Sequence, residues 1–226
     1  MNAISCILIG YLVGTLNPAY ILGKVKGFDI RKHGSGNAGA SNALILMGKL
    51  TGVACALLDI IKAYTVYRLA GAMFPMCDFA GGLAGAACIL GHIFPIWMHF
   101  DGGKGLACLG GVILAFSWKF FLLILGLEIV IALVVDYICV VAMSAAVAFP
   151  VVYWLRTREW MGTAMFLVVA MVMVGKHAEN IRRIREGKEV RLSFLWRKDK
   201  ELERLRESYA EDDGEAAELL RRAETQ

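Results

Sequence analysis

Charge is scarce in this 226-residue chain: charged residues make up 19% and hydrophobic ones 58%. Soluble domains carry about a quarter charged residues, so the shortfall argues against a soluble helical protein with a very apolar core. No lysine or arginine precedes the first apolar run, Met1–Gly23. A secretory leader opens on a positive n-region, so this run is expected to stay as an uncleaved first span. The six cysteines, Cys6, Cys55, Cys77, Cys88, Cys108 and Cys139, include no C-x-x-C pair, and most fall in apolar stretches. Free cysteine behaves there as a small hydrophobe, so no disulfide and no metal site is assigned. Internal repeats, common in transporters, are missing too. The excess of positive charge is a modest +4. It sits beside the apolar runs, which points to topology signals and anionic membrane lipids as contacts, not nucleic acid.

What the chain does have is apolar length. A helix needs about 20 residues to cross a bilayer, and the sequence divides into seven such segments: Met1–Gly23, Asn42–Tyr67, Phe79–Met98, Lys104–Ser117, Trp118–Val135, Tyr137–Leu155 and Trp160–Lys176. The expectation is an all-α, polytopic transmembrane bundle. The fourth segment is short, and five spans with a re-entrant region is the alternative. Lys24, Lys26, Arg31 and Lys32 follow the first span, and Lys176, Arg182, Arg183, Arg185, Lys188 and Arg191 follow the last. The positive-inside rule then places the N-terminus outside and the C-terminus in the cytoplasm, which requires an odd number of spans. Arg156 and Arg158 fall outside, a mild breach of that rule. The spacings Gly10/Gly14, Gly48/Gly52 and Gly81/Gly85 suit close helix packing in lipid.

Three polar islands interrupt the apolar pattern. The first is DIRKHGSGNAGASN, Asp29–Asn42. Gly34, Gly36 and Gly39 remove side-chain bulk, so backbone N–H groups can converge on an anion. Arg31, Lys32 and protonated His33 add positive charge, and the following apolar run places a helix N-terminus there. A flexible, positively flanked loop is the plainer alternative. The second island, Gly91–Gly105, contains Lys104 between Gly102, Gly103 and Gly105. A lysine there can meet phosphate as a point charge, or snorkel from a span end. In the third, Gly175–Glu189, His177 and Asn180 share a helical face. They suit a polar substrate, or serve as satisfied interfacial groups. The alternation of spans puts all three islands on the cytoplasmic side. Polar groups near membrane depth are costly and face a bundle interior or a wet cavity, so the expectation is one anion-binding pocket.

At these residues the chain resembles the integral-membrane glycerol-3-phosphate acyltransferase family that uses acyl phosphate as donor. GSGNAGASN, GHIFP with the following GGKG, and HAENI with its trailing basic residues match the three motifs of that family in order. The likeness runs from Met1 to about Glu189. It implies acyl transfer from acyl phosphate to the 1-hydroxyl of glycerol 3-phosphate, giving lysophosphatidic acid for phospholipid synthesis, with no cofactor, by a multi-pass enzyme of the bacterial inner membrane. Carried over by position, Ser35, Lys104, His177 and Asn180 are the expected catalytic residues. Gly34, Gly36, Asn37, Gly39, Asn42, Gly102, Gly103, Gly105 and His92 are the expected binding residues, although helix packing is an equal alternative for His92.

Acyl phosphate is already activated, so the enzyme mainly needs to position and neutralise two anions. None of His33, His92, His99 and His177 has an aspartate at the fifth following position, so the His–Asp pair of soluble-type acyltransferases is missing. The departing phosphate oxygen is the expected proton acceptor. The chain departs from the family at Ile45, where arginine is expected, at Cys108 (threonine), at Asp136 (a basic residue) and in Ala40–Ser41–Asn42. These changes leave open a paralogue acting on another small phosphorylated alcohol, a non-catalytic paralogue, or a small-anion transporter or lipid-binding protein. Beyond the membrane domain, residues 1–193, comes a charged extension, residues 194–226. Leu202, Leu205 and Tyr209 form a thin stripe on it. It is either a solvated helix or a docking helix for an acyl-phosphate-producing enzyme.

Overall fold

The structure, a computed structural model, describes residues 2–209. The last 17 residues of the extension lie outside the described residues. The described chain is helical: α1 (Asn2–Gly14), α2 (Pro18–Val25), α3 (Ala40–Met47), α4 (Lys49–Met73), α5 (Ala80–Ile93), α6 (Leu106–Phe116), α7 (Trp118–Val135), α8 (Ile138–Thr157), α9 (Trp160–Lys176), α10 (Ala178–Arg185) and α11 (Lys198–Tyr209). Short 3-10 turns cover Ile30–Lys32, Ile96–Met98 and Leu192–Leu195.

Six stretches are long and apolar enough to cross a membrane, and α6 is a shorter apolar helix. Each of the seven expected segments therefore has a helix, but three differ in detail. The first breaks at Thr15–Asn17, where Pro18 starts α2 and the Asn17 side chain accepts from the Tyr20 N–H. The second begins later than expected, because Gly48 (φ 89°) separates α3 from α4. The fourth starts at Leu106, after Gly105 in the left-handed region (φ 91°), so Lys104 lies on a loop.

Helix α5 is the hub. It packs against α1, α4, α6 and α9, and nearly every residue in it is buried. Small side chains explain why. A Cβ added to Gly10 or Gly14 of α1 would run into the backbone carbonyls of Ala84 and Cys88 on α5. A Cβ on Gly91 of α5 would meet the Tyr11 carbonyl in return. A Cβ added to Gly81 or Gly85 would lie 3.0 Å from the Tyr67 ring of α4. Lipid supplies no hydrophobic drive between helices, so this backbone-to-backbone proximity is what dispersion needs. Helix α7 is the opposite case: Leu122, Leu123, Leu127, Val130, Leu133 and Val134 are exposed, as a lipid-facing helix requires.

Inside the bundle, Lys62 of α4 fills the break between α1 and α2. Its Nζ donates to the Gly14 carbonyl at 3.1 Å and the Leu16 carbonyl at 2.5 Å. It also lies 2.6 Å from Asp59 and 3.1 Å from Nδ1 of His92. Asp59, His92 and Cys108 bring ligand-type atoms within 4.8 Å of one another, and the Lys62 ammonium already serves as the cation of this cluster.

Gly14→Ala is expected to destabilise the bundle by roughly 1–3 kcal/mol, the usual cost of overpacking. Gly126→Ala on α7, where an added Cβ meets nothing within 4 Å, serves as the control. Thermal unfolding in detergent checks both: a lowered Tm for the first and an unchanged Tm for the second.

Candidate functional site

The loop from Gly27 to Gly39 is built around two side chains. Asp29 caps the first 3-10 turn by accepting from the Arg31 N–H at 3.1 Å. The Arg31 guanidinium forks back onto the same carboxylate, at 3.0 and 2.8 Å, and holds it well below the usual carboxylate range. Arg31 also donates to the Met98 carbonyl at 2.7 Å, tying this loop to the second island. Its charge is therefore already neutralised, unlike the free cation expected from the sequence.

Asn42, fully buried at the start of α3, is the other organiser. Its Oδ1 accepts from the Ser35 N–H, and its Nδ2 donates to the carbonyls of Ile30, His33 and Asn37, all at 3.0 Å. All of its polar capacity goes into shaping the loop. Gly34 (φ 60°) and Gly36 (φ 69°) take the left-handed conformation that the tight course demands, and they are exposed. Ser35 and Asn37 are half-buried. Gly39 is buried, with the Asn37 amide 2.7 Å from where its Cβ would lie.

The second island folds back on the end of α5. The Gly102 and Gly103 N–H groups donate at 3.0 Å to the carbonyls of Ile93 and His92, which have no helical partner. A Cβ on Gly102 would strike the His92 carbonyl, and one on Gly103 the His92 ring. Gly102, Gly103 and Gly105 are buried, so close packing is what calls for these glycines. His92 lies beneath them, 3% exposed and bonded to Lys62. That is a packing position under the loop. Just before the glycines, His99 (φ 57°) and Phe100 (φ 60°) hold left-handed backbone, the kind of strain that persists only where surrounding structure enforces it.

From this loop Lys104 reaches the third island, where its Nζ donates to Oδ1 of Asn180. Burial, and then the nearby Arg183 charge, lower its pKa to about 8. Nδ2 of Asn180 donates to Oε1 of Glu189 at 2.5 Å. The other carboxylate oxygen of Glu189 takes Nε of Arg183 at 2.8 Å. Arg183 in turn donates from Nη1 to the Ser35 carbonyl at 3.4 Å. His177 caps the end of α9, 3% exposed, with Nδ1 2.7 Å from the Met173 carbonyl. A carbonyl only accepts, so Nδ1 carries the hydrogen and the neutral ring leaves Nε2 as an acceptor.

The three islands thus meet at one end of the bundle. Ser35, Lys104 and Asn180, far apart in sequence, are linked through Arg183 and Glu189. The sequence marks Arg183 as a topology signal and as one of the basic residues trailing the third motif, with no site role of its own, and it does not single out Glu189. Sequence reasoning also missed Asp59 and Lys62, whose signal was available: two opposite charges three positions apart within an apolar 25-residue helix. Ile45 is half-buried on α3, and the Arg183 guanidinium reaches the first loop at the Ser35 carbonyl.

The family described as Glycerol-3-phosphate acyltransferase matches residues 4–187. Glycerol-3-phosphate acyltransferase 1 of Oceanobacillus iheyensis is 35% identical over 201 residues, spanning 84% of this chain and 95% of the relative. The glycerol-3-phosphate acyltransferase of Geobacter sulfurreducens is 36% identical over 191 residues, spanning 84% and 98%. Among solved structures, PlsY (YgiH), an integral membrane glycerol 3-phosphate acyltransferase, superposes in its glycerol 3-phosphate form with a TM-score of 0.78. The identity is 29%, and the match covers 86% of this chain and 98% of that one. Its lysophosphatidic acid form gives a TM-score of 0.74.

Lys104 is charged below its pKa of about 8 and neutral above it, so the affinity of the site for a fixed-charge anion should fall as pH rises past that value. Calorimetric titration with sulfate from pH 6.5 to 9.5 measures this. Lys104→Met should bind weakly throughout and lose the alkaline fall.

Proposed function

This chain belongs to the glycerol-3-phosphate acyltransferase family, and from that membership we propose how its own residues carry out the reaction. The activity is acylation of glycerol 3-phosphate to lysophosphatidic acid by an integral membrane enzyme. We infer that the donor is acyl phosphate and that the polar end of the bundle is the active site. We also infer seven spans with the N-terminus outside, so that this end faces the cytoplasm across a bacterial inner membrane. Lys24, Lys26 and Lys32 beside the first loop, and Arg182, Arg185 and Lys188 beside the third island, favour that orientation.

The observation that carries the reading is the junction of Lys104, Asn180, Arg183 and the Ser35 loop. Two cations, Lys104 and Arg183, stand beside an exposed glycine loop and suit a site that must hold two phosphate groups together. In the reaction the 1-hydroxyl oxygen bonds to the acyl carbon, and the bond from that carbon to the phosphate oxygen breaks. The hydroxyl proton passes to the departing phosphate. Positioning and charge neutralisation supply the rate. Lys104 takes the role of contacting phosphate, Ser35 and Asn37 that of lining the loop, and His177 and Asn180 that of ordering the glycerol phosphate. Among the described residues no imidazole or carboxylate is hydrogen-bonded to the Ser35 hydroxyl, so direct transfer is favoured over an acyl-serine.

The test is turnover of purified protein with acyl phosphate and labelled glycerol 3-phosphate, followed as lysophosphatidic acid. Lys104→Ala should lower kcat/KM by about 10²–10³-fold, the loss of one transition-state electrostatic contact. Wild-type rates in that variant would remove Lys104 from the site. A trapped acyl-Ser35 adduct would overturn direct transfer, and turnover with acyl-CoA in place of acyl phosphate would overturn the donor assignment.

A further inference from the structure

The segment after α10 is held from both sides. On the inner side, the N–H groups of Lys188 and Glu189 donate to the Arg183 carbonyl at 2.7 and 3.1 Å, and the Glu189 carboxylate takes Asn180 and Arg183 as described. At its far end, the Asp136 carboxylate accepts from the Ser193 N–H and hydroxyl, both at 2.8 Å, and the Asp136 carbonyl accepts from the Leu192 N–H at 2.8 Å.

The outer hold comes from the extension. Arg204 of α11 donates from Nη1 to the Gly187 carbonyl and from Nη2 to the Glu189 carbonyl, the latter at 2.7 Å. Glu201 orients that guanidinium, taking Nε at 2.9 Å and pairing with Nη2, while its Oε1 accepts from the Arg191 N–H at 3.0 Å. Glu201 is 4% exposed, and Leu202 and Leu205 are 3% exposed. Of the stripe read from the sequence, Leu202 and Leu205 are therefore turned onto the chain itself.

We propose that Arg204, oriented by Glu201, is a positioning residue of the anion site: by fixing the backbone of Gly187 and Glu189 it sets the Glu189 carboxylate, which orients the Asn180 amide with its oxygen towards Lys104. Asn180 is a two-ended switch in the chemical sense, since its amide donates at one end and accepts at the other. Glu189 at the donor end leaves the acceptor end for Lys104. A displaced Glu189 removes that choice and leaves Arg183 without its counter-charge. The inference rests on the catalytic reading above.

The experiment compares the full chain with Arg204→Met, using acyl phosphate and glycerol 3-phosphate. KM for glycerol 3-phosphate should rise roughly tenfold, the scale of one lost charge-assisted hydrogen bond, with kcat little changed. The alkaline limb of kcat/KM should shift to lower pH. The charged groups facing Lys104 are Arg183 and Glu179 of α10 and Glu189 of the segment, with the His177 ring at the end of α9 and the Cys139 thiol of α8 also near. Only Glu189 is directly held by Arg204. A lower Tm with KM and the pH limb both unmoved would make the clamp merely structural and overturn the proposal. If Arg204→Met fails to fold, Glu201→Gln decides: it keeps an acceptor for the Arg191 N–H but loses the carboxylate charge that orients Arg204. A KM rise in the same direction supports the clamp, and a wild-type KM removes it. Sulfate titration separates this proposal from the reaction itself. Weaker sulfate binding by the variant upholds the clamp even if the wild type makes no lysophosphatidic acid, and equal binding then rejects it.

Discussion

One buried ammonium holds the site's foundations in register. The break between α1 and α2 leaves the Gly14 and Leu16 carbonyls without helical partners inside an apolar bundle, where an unpaired polar group is costly. Lys62 satisfies both and is itself neutralised by Asp59. The consequences reach two loops. Asn17, at the break, donates to the Ala38 carbonyl of the first loop at 2.8 Å. His92, bonded to Lys62, forms the surface against which Gly103 packs. Removing one member of such a buried ion pair costs about 3–5 kcal/mol, because the other is left uncompensated.

Above that foundation the site economises on free charge. Arg31 is neutralised by Asp29 and works as a tie to Met98. Glu189 holds Arg183 and Asn180, and Asn180 receives Lys104. Lys104 is half-buried next to another cation, so its ammonium is held less firmly than one in water, with its pKa lowered to about 8. The exposed glycines Gly34 and Gly36 flank the half-buried Ser35 without side-chain bulk.

Where the chain departs from its family pattern, the structure offers local reasons. Cys108 is fully buried beside Asp59 and His92, a place for a small side chain. Asp136, in the left-handed region at the end of α7 (φ 63°), serves as the anchor for Ser193. That anchor ties the start of the extension to the loop between α7 and α8. Nothing in the structure explains Ile45.

The sequence alone determined the class. Scarce charge and seven apolar stretches dictate a helical bundle, because lipid leaves the backbone no other way to satisfy its hydrogen bonds. It also determined which segments carry the polar chemistry, since Ser35, Lys104, His177 and Asn180 stand out wherever apolar periodicity is interrupted. Only the tertiary structure decided what the neighbouring residues do. Asn42, Gly102, Gly103 and His92 look like ligand groups in one dimension, yet close packing and internal hydrogen bonds use them up. Arg183, Glu189 and Lys62 look like ordinary charges, yet they join or support the loops. The reason is that a polar atom's role depends on which partner reaches it first, and those partners lie tens of residues away along the chain.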